Sequence, residues 1–483
     1  MSKVAIRIND KASYQIAHPF NPGFAYPENS NCNFPIDSNN HIYGQVRDIL
    51  VDLGFDNENF GNAKWNPLKQ LINPGENVLI KPNLVLHFNN NSFDITAVVT
   101  NAAILRPIID YAWKALEGRG VIVVGDSPHG NADFDKIVNS NGLKDLIEWQ
   151  QNRGVNIQLV DFRKFEYGLG PQGFTKGICR EVHRDPNGYR EVNLGNESYL
   201  QTLPNIENLY GSDFDRSFIR KHHAKGTHRY LVAQSVLNAD VVISVPKLKT
   251  HKKTGVTINL KNLVGINGDK NYLPHYRVGS PRSGGDEYPD TEKQLINIAR
   301  WFERRLKDHL YARNTWLTRI FGRLLEIIPK ILMRLGDPKG KIPQLGDWFG
   351  NQTTWRMCLD LNKILFFASK DGQIQDSTQR RFLSVVDGIV MGEGDGPMTP
   401  TARPLGYLAA GTNPFAVDFV CAWQMGFDPL RIPLLSHGMR FKKFEFDFDK
   451  LQVSCIKNDT KIPFRSINLG ALPHRDWVGK IER

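Results

Sequence analysis

Five lysines, Lys247, Lys249, Lys252, Lys253 and Lys261, fall within fifteen residues, together with His251, Thr250, Thr254 and Thr257, and Asn262 follows directly. An ammonium is a strongly hydrated point charge that an apolar core rejects. Such a run is therefore either a solvated turn or a site for an anion. The surroundings favour the site: Val256, Ile258, Leu260 and Leu263 recur between the polar residues, and Gly255, Gly265 and Gly268 frame them. Phosphate or carboxylate is the fitting ligand. Lys247, His251, Lys252, Thr254 and Asn262 are expected to hold it, with Lys249 and Lys261 as the candidates for catalysis.

The opposite charges lie far away in sequence. In VVDGIVMGEGDGP (385–397), Asp387, Glu393 and Asp395 place three carboxylates within nine residues, separated by glycines. This reads as a flexible loop of hard oxygen ligands without EF-hand spacing, suited to a divalent metal such as magnesium or manganese, or to acid/base work by Asp387 and Glu393. Asp418 falls among Val417, Val420 and Cys421 in a predicted helix, where a carboxylate needs a partner: the lysine stretch, the helix start or a metal. Asp126 closes the run VVGDSP, as a metal contact or as the cap of the next turn. Asp126, Asp387 and Asp418 are the expected metal ligands. Lys81 and Asn83, directly after Val78–Ile80, complete the expected substrate contacts with Arg277; His275 and Arg282 lie in the same Gly-rich segment as Arg277, 271–290, which reads as a mobile flap.

The elements that must position these groups are buried strands. Val241–Val245 is a β-branched run that stops at Pro246 and empties into the lysine loop. Val78–Ile80, Val121–Val124 and Asn156–Val160 read the same way. Between the first two, a helix capped by Thr100 carries Ile104, Leu105, Ile108, Ile109, Ala112 and Leu116 on one face. Strand, helix, strand at this spacing is a right-handed crossover of a parallel sheet, which gathers ligand contacts at the carboxyl ends of its strands. Further strands are expected at Leu383–Val386, ending at Asp387, at Leu405–Ala409 and at Leu451–Ile456. Helices are expected near Ile42–Leu53, over 353–369 and from Pro414. The fold class is α/β, a mainly parallel sheet with flanking helices plus an inserted basic helical segment. Five parts follow: an N-terminal extension (1–75) without evident chemistry, a first core part (76–290), the insertion (291–345), a second core part (346–430), and a C-terminal strand and tail (431–483).

PKLKTHKKTGVTINLKNLVG resembles the central motif of the domain of unknown function 362 family, and VLIKPNLV (78–85), VVGDSP (123–128) and VVDGIVMGEGDGP through AVD (385–418) resemble three of its other segments. The resemblance covers roughly residues 75–430 and implies a fold and a set of positions rather than an activity. Some relatives carry a ferredoxin module, and this chain departs from them. Its five cysteines lie far apart with no CxxC pair, so neither an iron–sulfur cluster nor a zinc ribbon is expected. An odd cysteine count, no apolar leader in MSKVAIRIND and no run of about eighteen apolar residues predict a cytoplasmic protein without a transmembrane helix.

The net charge of +11 favours anionic partners. More than half of it comes from Arg300–Arg334, where nine Lys/Arg face three Asp/Glu. This amphipathic stretch, with Trp301, Phe302, Trp316 and Phe321 and breaks near Asn314, Gly322 and Pro329, is expected either to pack on the core with its arginines in solvent or to dock peripherally on an anionic membrane or acidic protein. His222, His223 and His228 lack an acidic co-ligand nearby and read as packing rather than metal-binding residues.

GxxxxGK[ST], GxGxxG after a strand and GxSxG are all absent, which sets aside P-loop, dinucleotide-binding and serine-hydrolase chemistry. The leading expectation is an enzyme acting on a phosphorylated or carboxylated small molecule by metal-assisted acid/base or group-transfer chemistry. Two alternatives stand beside it. One is a lactate-racemase-like isomerase, whose nickel-dependent family is similar in architecture; its histidine pattern is not evident here. The other is a non-catalytic module binding anions or nucleic acid, although aromatics are not interleaved with the lysines as base-stacking platforms would require.

Overall fold

A computed structural model describes residues 2–32, 34–92, 94–167, 179–182, 184–211, 216–291, 293–306, 320, 324–325 and 327–483. Eleven strands share one sheet. In chain order they are β1 (Lys3–Ile8), β2 (Asn77–Pro82), β3 (Val121–Asp126), β4 (Ile157–Asp161), β5 (Val241–Val245), β6 (Lys247–His251), β7 (Gly255–Thr257), β8 (Arg381–Glu393), β9 (Thr401–Gly411), β10 (Gln452–Lys457) and β11 (Thr460–Lys461). Across the sheet β8, β5, β2, β3 and β4 run parallel, in that order. β9 pairs antiparallel with both β8 and β1, and β10 continues parallel to β1, so both ends of the chain join the sheet.

The parallel strands are buried on both faces, which is why they read as unbroken apolar runs. Alternate side chains go to opposite cores: Val242, Leu79 and Val123 to one, Val241, Ile243, Ile80 and Val124 to the other. The second core is covered by α1 (His41–Leu53) and α2 (Ala102–Leu116). After α3 (Gln294–Arg305) and α4 (Ile327–Gly336) in the basic segment come α5 (Thr354–Phe367) and α6 (Pro414–Met425), which cover the first. A sheet between two helical layers is the expected α/β architecture. No helix among the described residues is long and apolar enough to cross a membrane.

Four local expectations change. The lysine stretch is not a loop: β6 resumes directly after Pro246, pairs with β8 and turns back on β7. β8 does not end at Asp387 but runs to Glu393, with an irregularity between Gly388 and Val390. Asn101, not Thr100, caps α2; the Thr100 hydroxyl accepts from Asn83 N at 2.9 Å and donates to Val245 O at 2.7 Å, tying the ends of β2 and β5 together. The Gly-rich 271–290 segment is tied down, with Pro274–Arg277 paired to Leu209–Gly211 and Asp286 accepting from Arg277 N, Gln352 N and Thr353. Asn314, Trp316, Phe321 and Gly322 lie outside the described residues, whereas Pro329 sits in the first turn of α4.

Candidate functional site

β2, β3 and β5 bring their carboxyl ends to one edge, where an open parallel sheet collects ligand contacts. Period-two alternation along β6 puts Lys247, Lys249 and His251 on one face, while Leu248 enters the core. Two buried ion pairs form there. Lys81 Nζ meets Asp126 Oδ1 at 2.6 Å and also donates to Pro82 O at 3.0 Å and Asn262 Oδ1 at 3.3 Å. Asp126 accepts further from Leu84 N at 2.6 Å and Ser127 N at 2.8 Å. Gly265 lies directly on this pair: a Cβ there would fall 1.8 Å from Asp126 Oδ1, so no side chain fits.

The second pair joins Lys247 Nζ to Asp387 Oδ2 at 3.2 Å, both side chains being 0% exposed. Tyr14 stands between them, accepting from Lys247 at 2.9 Å and donating to Asp387. Asn101 N and Ile389 N donate to the same carboxylate at 3.1 and 3.3 Å. Burial, then the Asp387 charge, raises the Tyr14 phenol well above its ordinary value.

Two more amines have no carboxylate. Lys249 Nζ donates to Asn83 Oδ1 at 2.9 Å and Val98 O at 2.5 Å. Burial, reinforced by Lys247 and Lys261, pulls it well below the ordinary lysine value. A neutral amine has two N–H groups and one lone pair; the two acceptors use the N–H groups and leave the lone pair. Lys261, also lowered by burial, carries neither a hydrogen bond nor an ion pair among the described residues. The thiol of Cys358 on α5 lies within electrostatic reach of it and is pushed up to about 12 by burial.

Two histidines share this field. Burial, then Lys261, Lys252, Lys249 and Lys253, depresses His251; burial and Lys253, with Lys261 and Lys270 beyond, depress His275. His251 Nδ1 accepts from Lys253 N at 3.0 Å, which leaves the proton on Nε2. His275 Nδ1 faces Leu273 O at 2.8 Å and must donate, which makes Nε2 an acceptor. Four amines thus gather around two carboxylates, and the two left without a carboxylate are Lys249 and Lys261.

The other expected residues are placed differently. Lys252 and Lys253 close on Asp347 at 2.8 and 2.6 Å, and Lys253 donates to Leu345 O. Thr254 donates locally to Val256 O at 3.1 Å. Arg277 holds its own segment, donating to Pro204 O at 2.8 Å and Gly284 O at 3.0 Å. Glu393 turns to the C-terminal segment, meeting Arg403 at 3.3 Å and Leu472 N at 3.1 Å. Asp418 takes Asn259 N, Asn259 Nδ2 and Leu260 N at 2.9, 2.8 and 2.8 Å, pinning the start of the short helix that carries Lys261. Burial pushes its carboxyl up to about 7. Asp126, Asp387 and Asp418 are thus each engaged with separate partners, and no group of three or more His, Cys, Asp or Glu among the described residues is arranged to hold a metal ion.

His223 Nε2 meets Tyr272 O at 2.7 Å, and His228 Nε2 meets Gln201 Oε1 at 3.1 Å. His222 Nδ1 lies 3.5 Å from Glu191 Oε2, so the cluster has an acidic neighbour that the sequence did not show, while His223 and His228 are engaged inside the fold. Tyr14 and Asp347 escaped the sequence reading. Neither has a local signal, since Tyr14 meets its partner from 373 residues away and Asp347 lies beyond the insertion.

The family described as "Domain of unknown function (DUF362)" matches residues 78–182 and 194–423, and the chain belongs to that family. Over 54 residues the chain is 44% identical to a thylakoid-associated protein of Synechocystis sp.; the match spans 11% of this chain and 17% of that relative's length. A crystal structure of a protein from Thermotoga maritima aligns over 77% of this chain and 54% of its own, at 10% identity and a TM-score of 0.28.

Proposed function

We propose that this DUF362 protein is an enzyme that binds a phosphorylated or carboxylated small molecule between Lys249, Lys261, His251 and His275 and performs acid/base or group-transfer chemistry on it. One observation carries the reading: four amines, Lys81, Lys247, Lys249 and Lys261, are set against two carboxylates, Asp126 and Asp387, at the carboxyl edge of a parallel sheet. Lys249 is buried and Lys261 half-buried, so charging these two carboxylate-free amines is costly unless a ligand anion completes the site.

The roles follow from the hydrogen bonds. Lys261 supplies the counter-charge, and His251 Nε2–H donates to the anion. Lys249, whose ammonium form burial disfavours, is the base that takes a proton from the ligand. His275 Nε2 is a second acceptor. The Lys81–Asp126 and Lys247–Asp387 pairs fix the walls, so the donors need little reorganisation when charge develops. A divalent ion would enter with the ligand, as magnesium does on phosphates, because the wall carboxylates are already engaged. Free, buried Cys358, Cys421 and Cys455 support a reducing, cytoplasmic setting.

Native mass spectrometry with elemental analysis of the same as-isolated sample tests this. A co-purified phosphorylated or carboxylated molecule, with or without magnesium or manganese, is the expected result. Stoichiometric nickel with an attached nucleotide would replace the proposal by the racemase-like alternative, and co-purified nucleic acid would replace it by the binding module.

A further inference from the structure

Away from the lysine cluster, nine of the sixteen large apolar side chains that are exposed among the described residues lie between Leu295 and Leu335. Their spacing is helical. Leu295, Ile298 and Trp301 stand at intervals of three along α3, and Ile327, Ile331 and Leu335 at intervals of four along α4. The two helices pack on each other through other residues: Ile296 and Ala299 are buried, and a Cβ on Gly336 would fall 2.6 Å from Ile296 Cγ1. Among the described residues both apolar stripes are therefore left to solvent. An exposed concentration of this kind marks a docking surface.

The charges around the stripes select the partner. Lys293, Arg305, Lys330 and Arg334 are exposed on or beside α3 and α4. The one carboxylate on the two helices, Glu303, is paired with Arg300 at 3.0 Å. A second copy meeting this face would set cations against cations. An anionic bilayer offers acyl chains to the apolar stripes and phosphates to the rim, the partition that interfacial helices make. Neither helix can cross a membrane, so both must lie in its plane.

We infer that α3 and α4 form a peripheral docking surface for anionic lipid. Eleven residues beyond α4, Asp347 clamps Lys252 and Lys253, which links the segment after the docking helices to the lysine-rich β6–β7 turn.

Co-sedimentation of the full chain with vesicles tests the inference, using phosphatidylcholine alone and phosphatidylcholine with about a third phosphatidylglycerol. The protein is expected to pellet with the mixed vesicles at low salt and to bind about tenfold more weakly in ~0.5 M salt. Ile331→Glu with Leu335→Glu, at positions 52% and 64% exposed, should weaken binding at least about tenfold with the melting temperature unchanged. Lys330→Glu with Arg334→Glu is the independent second variant and should do the same through charge. Absence of pelleting with mixed vesicles, equal pelleting with both compositions, or wild-type pelleting by both variants would overturn the inference. So would a dimer that Ile331→Glu with Leu335→Glu dissolves while no vesicle is bound.

Discussion

Replacing Lys261 by methionine separates a binding amine from a structural one. Methionine keeps most of the stem and removes the charge. In the free protein the amine has neither a hydrogen bond nor an ion pair among the described residues, and it sits near Lys249 and Lys81. Its removal should therefore change stability by less than about 1 kcal/mol, in the stabilising direction if repulsion dominates. The anion-bound state differs, because a hydrogen bond to a charged group contributes about 1.5–3 kcal/mol. The dissociation constant should then rise about ten- to a hundredfold. Thermal or urea unfolding across a titration of pyrophosphate reads both effects. At a hundred times its dissociation constant the anion should stabilise the wild type by about 2.7 kcal/mol. With affinity some thirtyfold weaker, the same concentration stabilises the variant by less than about 1 kcal/mol. A variant that loses more than about 2 kcal/mol without anion, yet keeps the wild-type response to it, would show Lys261 to be a structural residue rather than an anion contact.

Asp387→Asn leaves the Lys247 ammonium buried without its counter-charge, so urea unfolding should show a loss of about 3–5 kcal/mol; a loss under about 1 kcal/mol would mean the pair is not formed. Sulfate, whose charge is constant over the range, should bind more tightly as pH falls from about 9 to about 7. Lys249 is depressed in the free protein and an anion beside it favours the ammonium, so calorimetry in two buffers should show proton uptake; proton release would contradict the site. His223 and His228 are held by burial at about 3 and about 4, below the ordinary value of about 6.5. The unfolded chain therefore binds more protons in acid, and the stability these groups hold above pH 6.5 is lost as pH falls, by about 2 kcal/mol each at pH 5. His228→Gln should remove about half of that acid sensitivity in urea unfolding at pH 7 and 5, and an unchanged slope would show that these histidines do not titrate as described.

The sheet could be read from sequence because its parallel strands are buried on both faces, and VVISV, VLI and VIVV admit little else. What could not be read was how the chain leaves them. Pro246 and a crowd of cations look like the end of a strand, yet Lys-Leu-Lys-Thr-His alternates with period two. β6 uses that alternation to aim Lys247 and Lys249 at one edge. The Asp387–Gly388 dipeptide likewise reads as a turn, and the structure absorbs it as an irregularity within a long strand. Asp418 shows the converse. A carboxylate among apolar neighbours had to find donors, and of the three partners open to it the structure supplies a helix start. Tyr14 and Asp347 were beyond reach, since contacts closed across hundreds of residues, or across an insertion, leave no periodic or compositional trace.

Anomalous diffraction from crystals soaked in tungstate or selenate locates an anion bound at the lysine cluster directly. A peak is expected within hydrogen-bond distance of Lys261 and His251, absent from crystals of Lys261→Met. An anion bound only at the basic face of α3 and α4, with the lysine cluster empty in the wild type, would contradict the proposed site.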